Sequence, residues 1–158
     1  MLTPAEQSEI QSEVAHYPYK RAVAIDALKI VQKHRGHVSD EAMDDVARFL
    51  ELSREELEGV CTFYNLLLRK PVGKHVIWVC DGVSCYLTGY GRLCRKLEST
   101  LGIKPGETTK DGKFTLLPIV CLGACDHAPV LMVDDDLHRD LDPQRNPGAV
   151  EGVLKQYE

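Results

Sequence analysis

Four of the six cysteines form two close pairs, and each pair follows a segment rich in β-branched residues. Cys80 and Cys85 are separated by four residues, and Cys121 and Cys125 by three. Segments rich in valine and isoleucine predict strands. Such strands would fix the backbone positions of the cysteines, and the short segment within each pair would let two thiolates converge. The pattern therefore predicts one metal ion or cluster in an α/β domain.

Each pair encloses a short segment that contains glycine. Residues 81–84 include Gly82, and residues 122–124 include Gly123. We expect both segments to be loops, and both glycines to relieve the steric limits on a tight curl. Backbone N–H groups in such loops can point at sulfur and offset its negative charge.

Four thiolates in two pairs indicate a metal site without naming the metal. A structural zinc site can use four cysteines at spacings of two to four residues. A [2Fe–2S] cluster also takes four cysteines, and plant-type proteins contain a C-x4-C pair. Zinc sites more often use a two-residue spacing, which neither pair has, so the spacing favours the cluster and leaves zinc as the alternative. The other two cysteines, Cys61 and Cys94, are predicted to be small buried hydrophobic residues.

Composition restricts the class of protein. Hydrophobic residues make up 44% of the chain, charged residues 27%, and the net charge is −5. This composition is typical of a soluble globular protein and argues against nucleic acid as a partner. No apolar run approaches the roughly 20 residues that span a bilayer, and residues 1–13 do not resemble a signal peptide. We therefore expect no direct membrane insertion and a reducing cytoplasm, where cysteine clusters usually bind metal.

The first part of the chain has helical signals. Pro4 suits the first position of a helix, and Gly36 suits the residue that ends one. Ser39 is a predicted N-cap, and Ser53 begins a capping box with a glutamate three residues later. These signals predict a small helical bundle over residues 1–72, with a docking role.

The second part, residues 73–158, alternates strand and helix patterns. The predicted elements are a strand at 75–80, a helix at 88–101, strands at 113–120 and 130–133, and a closing helix in the last dozen residues. Pro118 would confine the second of these strands to an edge or a bulge. The fold class is therefore α+β or α/β, with a helical bundle followed by an α/β domain of thioredoxin size.

The order of motifs along the chain resembles a known family, the thioredoxin-like [2Fe–2S] subunits of NADH:quinone oxidoreductase, respiratory complex I. The motifs that carry the likeness are CTFY at 61–64, CDGVSC at 80–85, TGY at 88–90, LGIKPGETT at 101–109, DGKFTL at 111–116, CLGAC at 121–125 and AP at 128–129. They occur in both halves of the chain, so the resemblance spans nearly all of it.

The resemblance implies a thioredoxin-like ferredoxin domain and one [2Fe–2S] cluster. It carries the ligands over to Cys80, Cys85, Cys121 and Cys125. It also implies that the chain packs against a flavin subunit that binds FMN and NADH, and against other peripheral-arm subunits. Electrons would pass between FMN and the cluster on the cytoplasmic side of the inner membrane. The chain would then belong to an NADH dehydrogenase without being catalytic alone, and it has no predicted catalytic residue.

Two alternatives to complex I stay open at this point. Related modules occur in NAD-linked hydrogenases and formate dehydrogenases, so the chain could be the equivalent diaphorase subunit of one of these enzymes. The other alternative is a zinc-stabilised interaction protein with four cysteine ligands.

Further expectations concern charge and surface. Asp81 and Asp126 each follow a ligand directly, and nearby negative charge predicts a low reduction potential. An apolar surface around Phe63, Tyr64 and residues 66–68 is expected to be covered by a partner. The acidic run at residues 134–136 is interpreted as a solvated turn.

Two histidines and a glycine motif are weaker candidates for sites. His127 and His138 are not expected to be metal ligands, because the four thiolates already complete a site. The motif GYG at 89–91 is too short for a dinucleotide-binding loop, and helix-entry packing is the expected role.

Overall fold

A computed structural model describes residues 1–157. The chain forms two compact units, the first from Met1 to Pro71 and the second from Val72 onward. None of the helices within residues 1–157 combines the length and the apolarity that crossing a membrane requires.

The first unit contains four helices, three of which have a side-chain N-cap. They are α1 (Pro4–Val14), α2 (Ala24–Arg35), α3 (Asp40–Leu50) and α4 (Arg54–Phe63), with a 3-10 turn at Lys20–Val23. The Ser39 side chain accepts a hydrogen bond from the backbone N–H of Ala42, and Ser53 forms the predicted capping box. Gly36 ends α2 in the left-handed conformation, at φ +80°. The predicted helix boundaries are confirmed because local caps set them.

An ion pair lies inside the first unit. The Glu6 side chain is 1% exposed, and its two carboxylate oxygens accept hydrogen bonds from Arg35 Nε at 2.6 Å and Arg35 Nη2 at 2.7 Å. The backbone N–H of Thr3 also donates to this carboxylate, at 2.7 Å. The Arg35 guanidinium lowers the pKa of Glu6 to about 2, against the opposing effect of burial, and the Thr3 N–H adds to the lowering.

The second unit contains four strands and three helices. The strands are β1 (His75–Cys80), β2 (Phe114–Ile119), β3 (Leu131–Val133) and β4 (Asp136–His138), and the helices are α5 (Val83–Thr88), α6 (Tyr90–Leu101) and α7 (Ala149–Leu154). The strands form one sheet with the order β2-β1-β3-β4. Strands β1 and β2 are parallel, whereas β3 is antiparallel to β1 and β4 to β3. Pro118 lies on β2, at one end of the strand order, which confirms the predicted edge position.

The core of this unit lies between the sheet and helices α6 and α7. Residues that contribute to it are Ile77, Val79, Leu93, Leu97, Leu116, Leu131, Val150 and Val153.

The helix predicted at 88–101 is wrong in its first residues. The chain instead forms two helices, α5 and α6, that meet at Gly89. Gly89 has φ +148°, a backbone conformation that favours glycine, so the helical pattern cannot run through it.

The acidic run at 134–136 includes the predicted turn, at residues 134–135, and Asp135 is exposed, but Asp134 is also bonded to the start of β1. Asp134 Oδ1 accepts a hydrogen bond from the backbone N–H of Val76 at 2.9 Å, and Asp134 Oδ2 lies 2.6 Å from His75 Nδ1. Asp136 begins the fourth strand, β4, which the sequence did not reveal. The turn therefore connects β3 to β4 and is bonded to the start of β1.

Candidate metal centre

The four paired cysteines lie near one end of β1 and β2. Cys80 is the last residue of β1, and Cys85 lies in α5. Cys121 follows β2, and Cys125 begins a 3-10 turn. Because β1 and β2 are parallel, with Cys80 opposite Ile119, the two cysteine segments leave the sheet at the same edge.

The thiols of the two segments face a common site. The sulfur atoms of Cys121 and Cys125 are 3.3 Å apart. Gly82 lies between the two segments: a Cβ atom built on it would be 3.5 Å from Cys80 Sγ and 3.5 Å from Cys121 Cβ. Cys85 in turn lies close enough to Cys80 and Cys125 for both to raise the pKa of its thiol. The structure therefore places the four cysteines that the spacing indicated near one another.

The segment within the first pair is not the loop that the sequence predicted. Helix α5 begins at Val83, so Cys85 sits in a helical turn. Gly82 has φ −58° and ψ 158°, which any residue can adopt, so the expectation that it relieves a curl is wrong. Gly123 does meet that expectation, with φ +82°, and its backbone N–H donates to Cys121 Sγ at 3.4 Å.

The two pairs differ in burial and in electrostatics. Cys80 and Cys85 are buried, whereas Cys121 and Cys125 are exposed. Burial raises the pKa of the Cys85 thiol to about 11. The Gly123 N–H lowers the pKa of Cys121, and the neighbouring Cys121 raises the pKa of Cys125. Because a metal binds the thiolate, it must displace the proton from Cys85.

The donor set fits a [2Fe–2S] cluster. Each iron of such a cluster takes two protein thiolates, so thiols in two pairs match it. Besides the Gly123 N–H, the Val130 backbone favours the thiolate of Cys85 and the Ser84 side chain favours that of Cys125, each lowering the pKa against larger opposing effects. Such donors stabilise negative charge on sulfur. Within residues 1–157, no three His, Cys, Asp or Glu side chains are placed to enclose a single metal ion.

The other candidate residues have partners outside the four cysteines. His127 Nδ1 is 2.9 Å from Asp140 Oδ2, and His138 Nε2 is 3.0 Å from the Tyr157 hydroxyl. Cys61 and Cys94 are buried in the hydrophobic cores of the first and second units, which confirms their predicted role. Burial raises the pKa of both thiols.

Large apolar side chains that lie close to the paired cysteines in sequence are exposed. Val83, Tyr86 and Leu87 on α5, and Val120 beside Cys121, are between 63% and 78% exposed. We call these four residues the apolar rim. Sequence reasoning missed the rim because it assigned the start of α5 to a loop, although the apolar residues of VSCYL at 83–87 were available as a signal.

Comparisons with known proteins identify the family. The sequence profile of the thioredoxin-like [2Fe-2S] ferredoxin family matches residues 10–158. The E subunit of NADH-quinone oxidoreductase from Pseudomonas aeruginosa is 48% identical over 157 residues, which cover 99% of this chain and 92% of that protein. The corresponding protein of Escherichia coli (strain K12) is 49% identical over 150 residues, which cover 95% of this chain and 90% of that protein.

A solved structure supports the fold. An NAD+-reducing [NiFe]-hydrogenase in the H2-reduced state superposes with a TM-score of 0.63 at 23% identity. The match covers 83% of this chain and spans about a fifth of the hydrogenase chain, 22%. The chain therefore belongs to the thioredoxin-like [2Fe–2S] ferredoxin family, and within it to the group of E subunits of NADH-quinone oxidoreductases.

Proposed function

We propose that the chain is an electron-transfer subunit of an NADH:quinone oxidoreductase. It holds one [2Fe–2S] cluster on Cys80, Cys85, Cys121 and Cys125, and the cluster exchanges electrons with the FMN of a partner subunit that binds NADH. The observation that carries the proposal is the convergence of two thiol pairs at one sheet edge. Near-full-length identity of 48% to a subunit of this enzyme supports the choice of complex.

The buried and the exposed cysteines of the site have different roles toward the cluster. When bound, the cluster supplies one-electron redox chemistry. The buried Cys80 and Cys85 anchor it in the domain, while the exposed Cys121 and Cys125 place one side of the site at the surface. A redox centre at the surface can exchange electrons with a partner that lies against it.

The apolar rim supports a partner surface at this place. Exposed apolar patches on soluble proteins usually mark interaction sites, and the four rim residues lie next to the ligands in sequence. We propose that the flavin-binding subunit packs on the rim and excludes water between FMN and the cluster. The isolated chain, which holds no nicotinamide site in this proposal, does not oxidise NADH.

The helical part is proposed to dock other peripheral-arm subunits, as a domain of residues 1–72 that is distinct from a cluster domain of residues 73–158. Phe63 is 76% exposed, and Tyr64 and Leu66 are 43% and 47% exposed, so these three can contact a partner. Leu67 is 6% exposed and belongs to the core of the first unit, which removes it from the predicted surface.

We place the assembled complex with this chain on the cytoplasmic side of the inner membrane, where six free thiols stay reduced.

The proposal is tested by electron exchange with and without the partner. The cluster of the isolated chain should respond to neither NADH nor NAD+. When the flavin-binding subunit is co-purified with it, NADH should reduce the oxidised cluster or NAD+ should reoxidise the reduced cluster, followed by electron paramagnetic resonance. Rapid exchange in the isolated chain, or none in either direction in the complex, would refute the proposed role.

Ligand variants test the site itself. Cys85→Ser and Cys121→Ser should each prevent assembly of the native cluster. Cys61→Ser makes the same chemical change in the core of the first unit and should retain the cluster. Equal cluster content in all three variants would contradict the ligand assignment.

The fold likeness to the hydrogenase supports a second candidate, the diaphorase subunit of an NAD-linked hydrogenase. At 23% identity the likeness concerns the fold alone. Affinity purification of the chain from its own cells decides between the two, because the purified assembly should reduce quinone with NADH and show no H2-dependent reduction of NAD+.

A further inference from the structure

Arg92, near the start of α6, joins two parts of the second unit. Its Nε donates to Asp142 Oδ1 at 2.8 Å, and its Nη2 donates to Asp142 Oδ2 at 2.8 Å. The same Nη2 donates to the backbone carbonyl of Thr88 at 2.8 Å. Thr88 is the last residue of α5, the helix that carries Cys85, so Arg92 connects this helix to Asp142.

The segment that contains Asp142 is bonded in turn to the second cysteine segment. The backbone N–H of Leu141 donates to the Pro129 carbonyl at 3.0 Å, and that of Asp140 donates to the His127 carbonyl at 2.8 Å. His127 follows Cys125 by two residues. The bonds through Arg92 and Asp142 therefore run from the helix of Cys85 to the turn of Cys125.

Neighbouring residues accommodate the contact between Arg92 and Asp142. Asp142 is 2% exposed, and its Oδ1 also accepts a hydrogen bond from the Gln144 N–H at 3.2 Å. A Cβ atom on Gly89 would lie 2.9 Å from Arg92 Nη2 and 3.3 Å from Asp142 Cγ. Glycine at position 89 thus leaves the room that the guanidinium occupies, which gives the TGY motif a physical role.

We propose that Arg92 and Asp142 form a clamp that positions the Cys85 helix relative to the Cys125 turn and so sets the lifetime and the electronic structure of the cluster. The proposal rests on the proposed function, since it requires a cluster on these cysteines. Arg92 and Asp142 are positioning residues in this account: they act through the backbone of the ligand segments.

The physical basis is the cost of leaving a buried carboxylate without its cation. Arg92 supplies a two-point contact that a neutral amide cannot replace. Without it, Asp142 gains stability by moving toward water, which pulls its segment away from α5. The end of α5 also loses the cation that satisfies the Thr88 carbonyl, a favourable contact at a helix C-terminus. Both effects free Cys85 to move relative to Cys125.

Three variants test the clamp in the full chain. Arg92→Gln removes the charge and the two-point contact, and Arg92→Lys keeps the charge but loses the two-point geometry. Arg145→Gln is the matched control, because it removes the same charge near the same carboxylate. Arg145 Nε lies 3.6 Å from Asp142 Oδ2, and the Arg145 side chain is largely exposed. Cluster loss is followed anaerobically by visible absorbance in the presence of an iron chelator, and the reduced cluster by electron paramagnetic resonance.

We expect Arg92→Gln to lose its cluster about ten times faster than wild type, an effect on the order of the smallest loss of metal affinity seen when a direct partner of a metal ligand is removed. The rate of cluster loss of Arg92→Lys should lie between those of Arg92→Gln and wild type. Both Arg92 variants should show shifted g values. Arg145→Gln should stay within about twofold of wild type with unchanged g values.

Several results would overturn the clamp. One is a loss rate for Arg92→Gln within about twofold of wild type with unchanged g values. Another is an equal effect of Arg145→Gln, which would show a general charge effect. If circular dichroism shows that Arg92→Gln does not fold, Arg92→Lys decides by the same criteria. A wild-type chain that assembles no [2Fe–2S] cluster would refute the proposed function and with it the clamp, and is recognised before any variant is compared.

Discussion

Protonation of Glu6 should make the stability of the helical unit depend on pH. The pKa of its carboxyl falls from an ordinary value of 4.5 to about 2 on folding. A lowered pKa in the folded state stabilises the protein above the unfolded value, and this contribution is lost as pH falls from about 4.5 through about 2. Because a pKa difference of one corresponds to about 1.4 kcal/mol, the lowering sets an upper limit of about 3 kcal/mol at pH 7.

The folded and unfolded pKa values of Glu6 together give the change in the free energy of unfolding with pH. Between pH 7 and pH 3 the contribution of Glu6 should fall by about 2 kcal/mol. Glu6→Gln removes the charge but keeps an oxygen that can accept from Arg35 or Thr3. We therefore expect it to lower the free energy of unfolding by about 2 kcal/mol at pH 7 and by less than about 1 kcal/mol at pH 3.

The assay is urea unfolding of the metal-free chain, followed by circular dichroism at 222 nm at both pH values. Glu55→Gln is the matched control, because it makes the same chemical change at an exposed residue in the first turn of α4. It should alter stability by less than about 0.5 kcal/mol at pH 7. A Glu6→Gln effect that is equal at the two pH values would refute the argument from the buried ion pair.

Three other predictions concern the second unit. Replacing both Asp81 and Asp126 by Asn should raise the midpoint potential of the cluster by on the order of 10–40 mV in a redox titration, and an unchanged midpoint would contradict the charge argument. Leu93→Ala should cost about 2–5 kcal/mol in urea unfolding because Leu93 is fully buried, while Leu93→Met should cost less than about 1.5 kcal/mol, and equal costs would contradict the core assignment. Tyr86→Glu on the apolar rim should weaken association with the flavin-binding subunit in size-exclusion chromatography without loss of cluster absorbance; unchanged association would remove Tyr86 from the proposed interface.

The sequence predicted most of what depends on neighbouring residues. The caps at Ser39 and Ser53 defined helix starts, and Gly36 defined a helix end, because each acts on backbone groups within one turn. Pro118 predicted an edge strand because it lacks the N–H that a second neighbour would need. The approach of the two cysteines within each pair was also predictable, since they are close in sequence.

Contacts between distant residues explain what the sequence did not predict. The break at Gly89 reflects Arg92 and Asp142, which lie 50 residues apart. The hydrogen bond from Val76 to Asp134 spans 58 residues, so the acidic run alone could not show that its first residue is bonded to the start of β1. The rim residues of α5 were hidden because a six-residue helix is too short for a periodic apolar pattern to stand out.

The most direct test of the account is metal analysis and low-temperature electron paramagnetic resonance on the chain purified without oxygen. We expect a red-brown protein with two irons per chain that gives no signal in the oxidised state and one S = 1/2 signal after dithionite. A colourless protein that contains one zinc and gives no signal after dithionite would contradict the electron-transfer role and leave the four cysteines as a structural site.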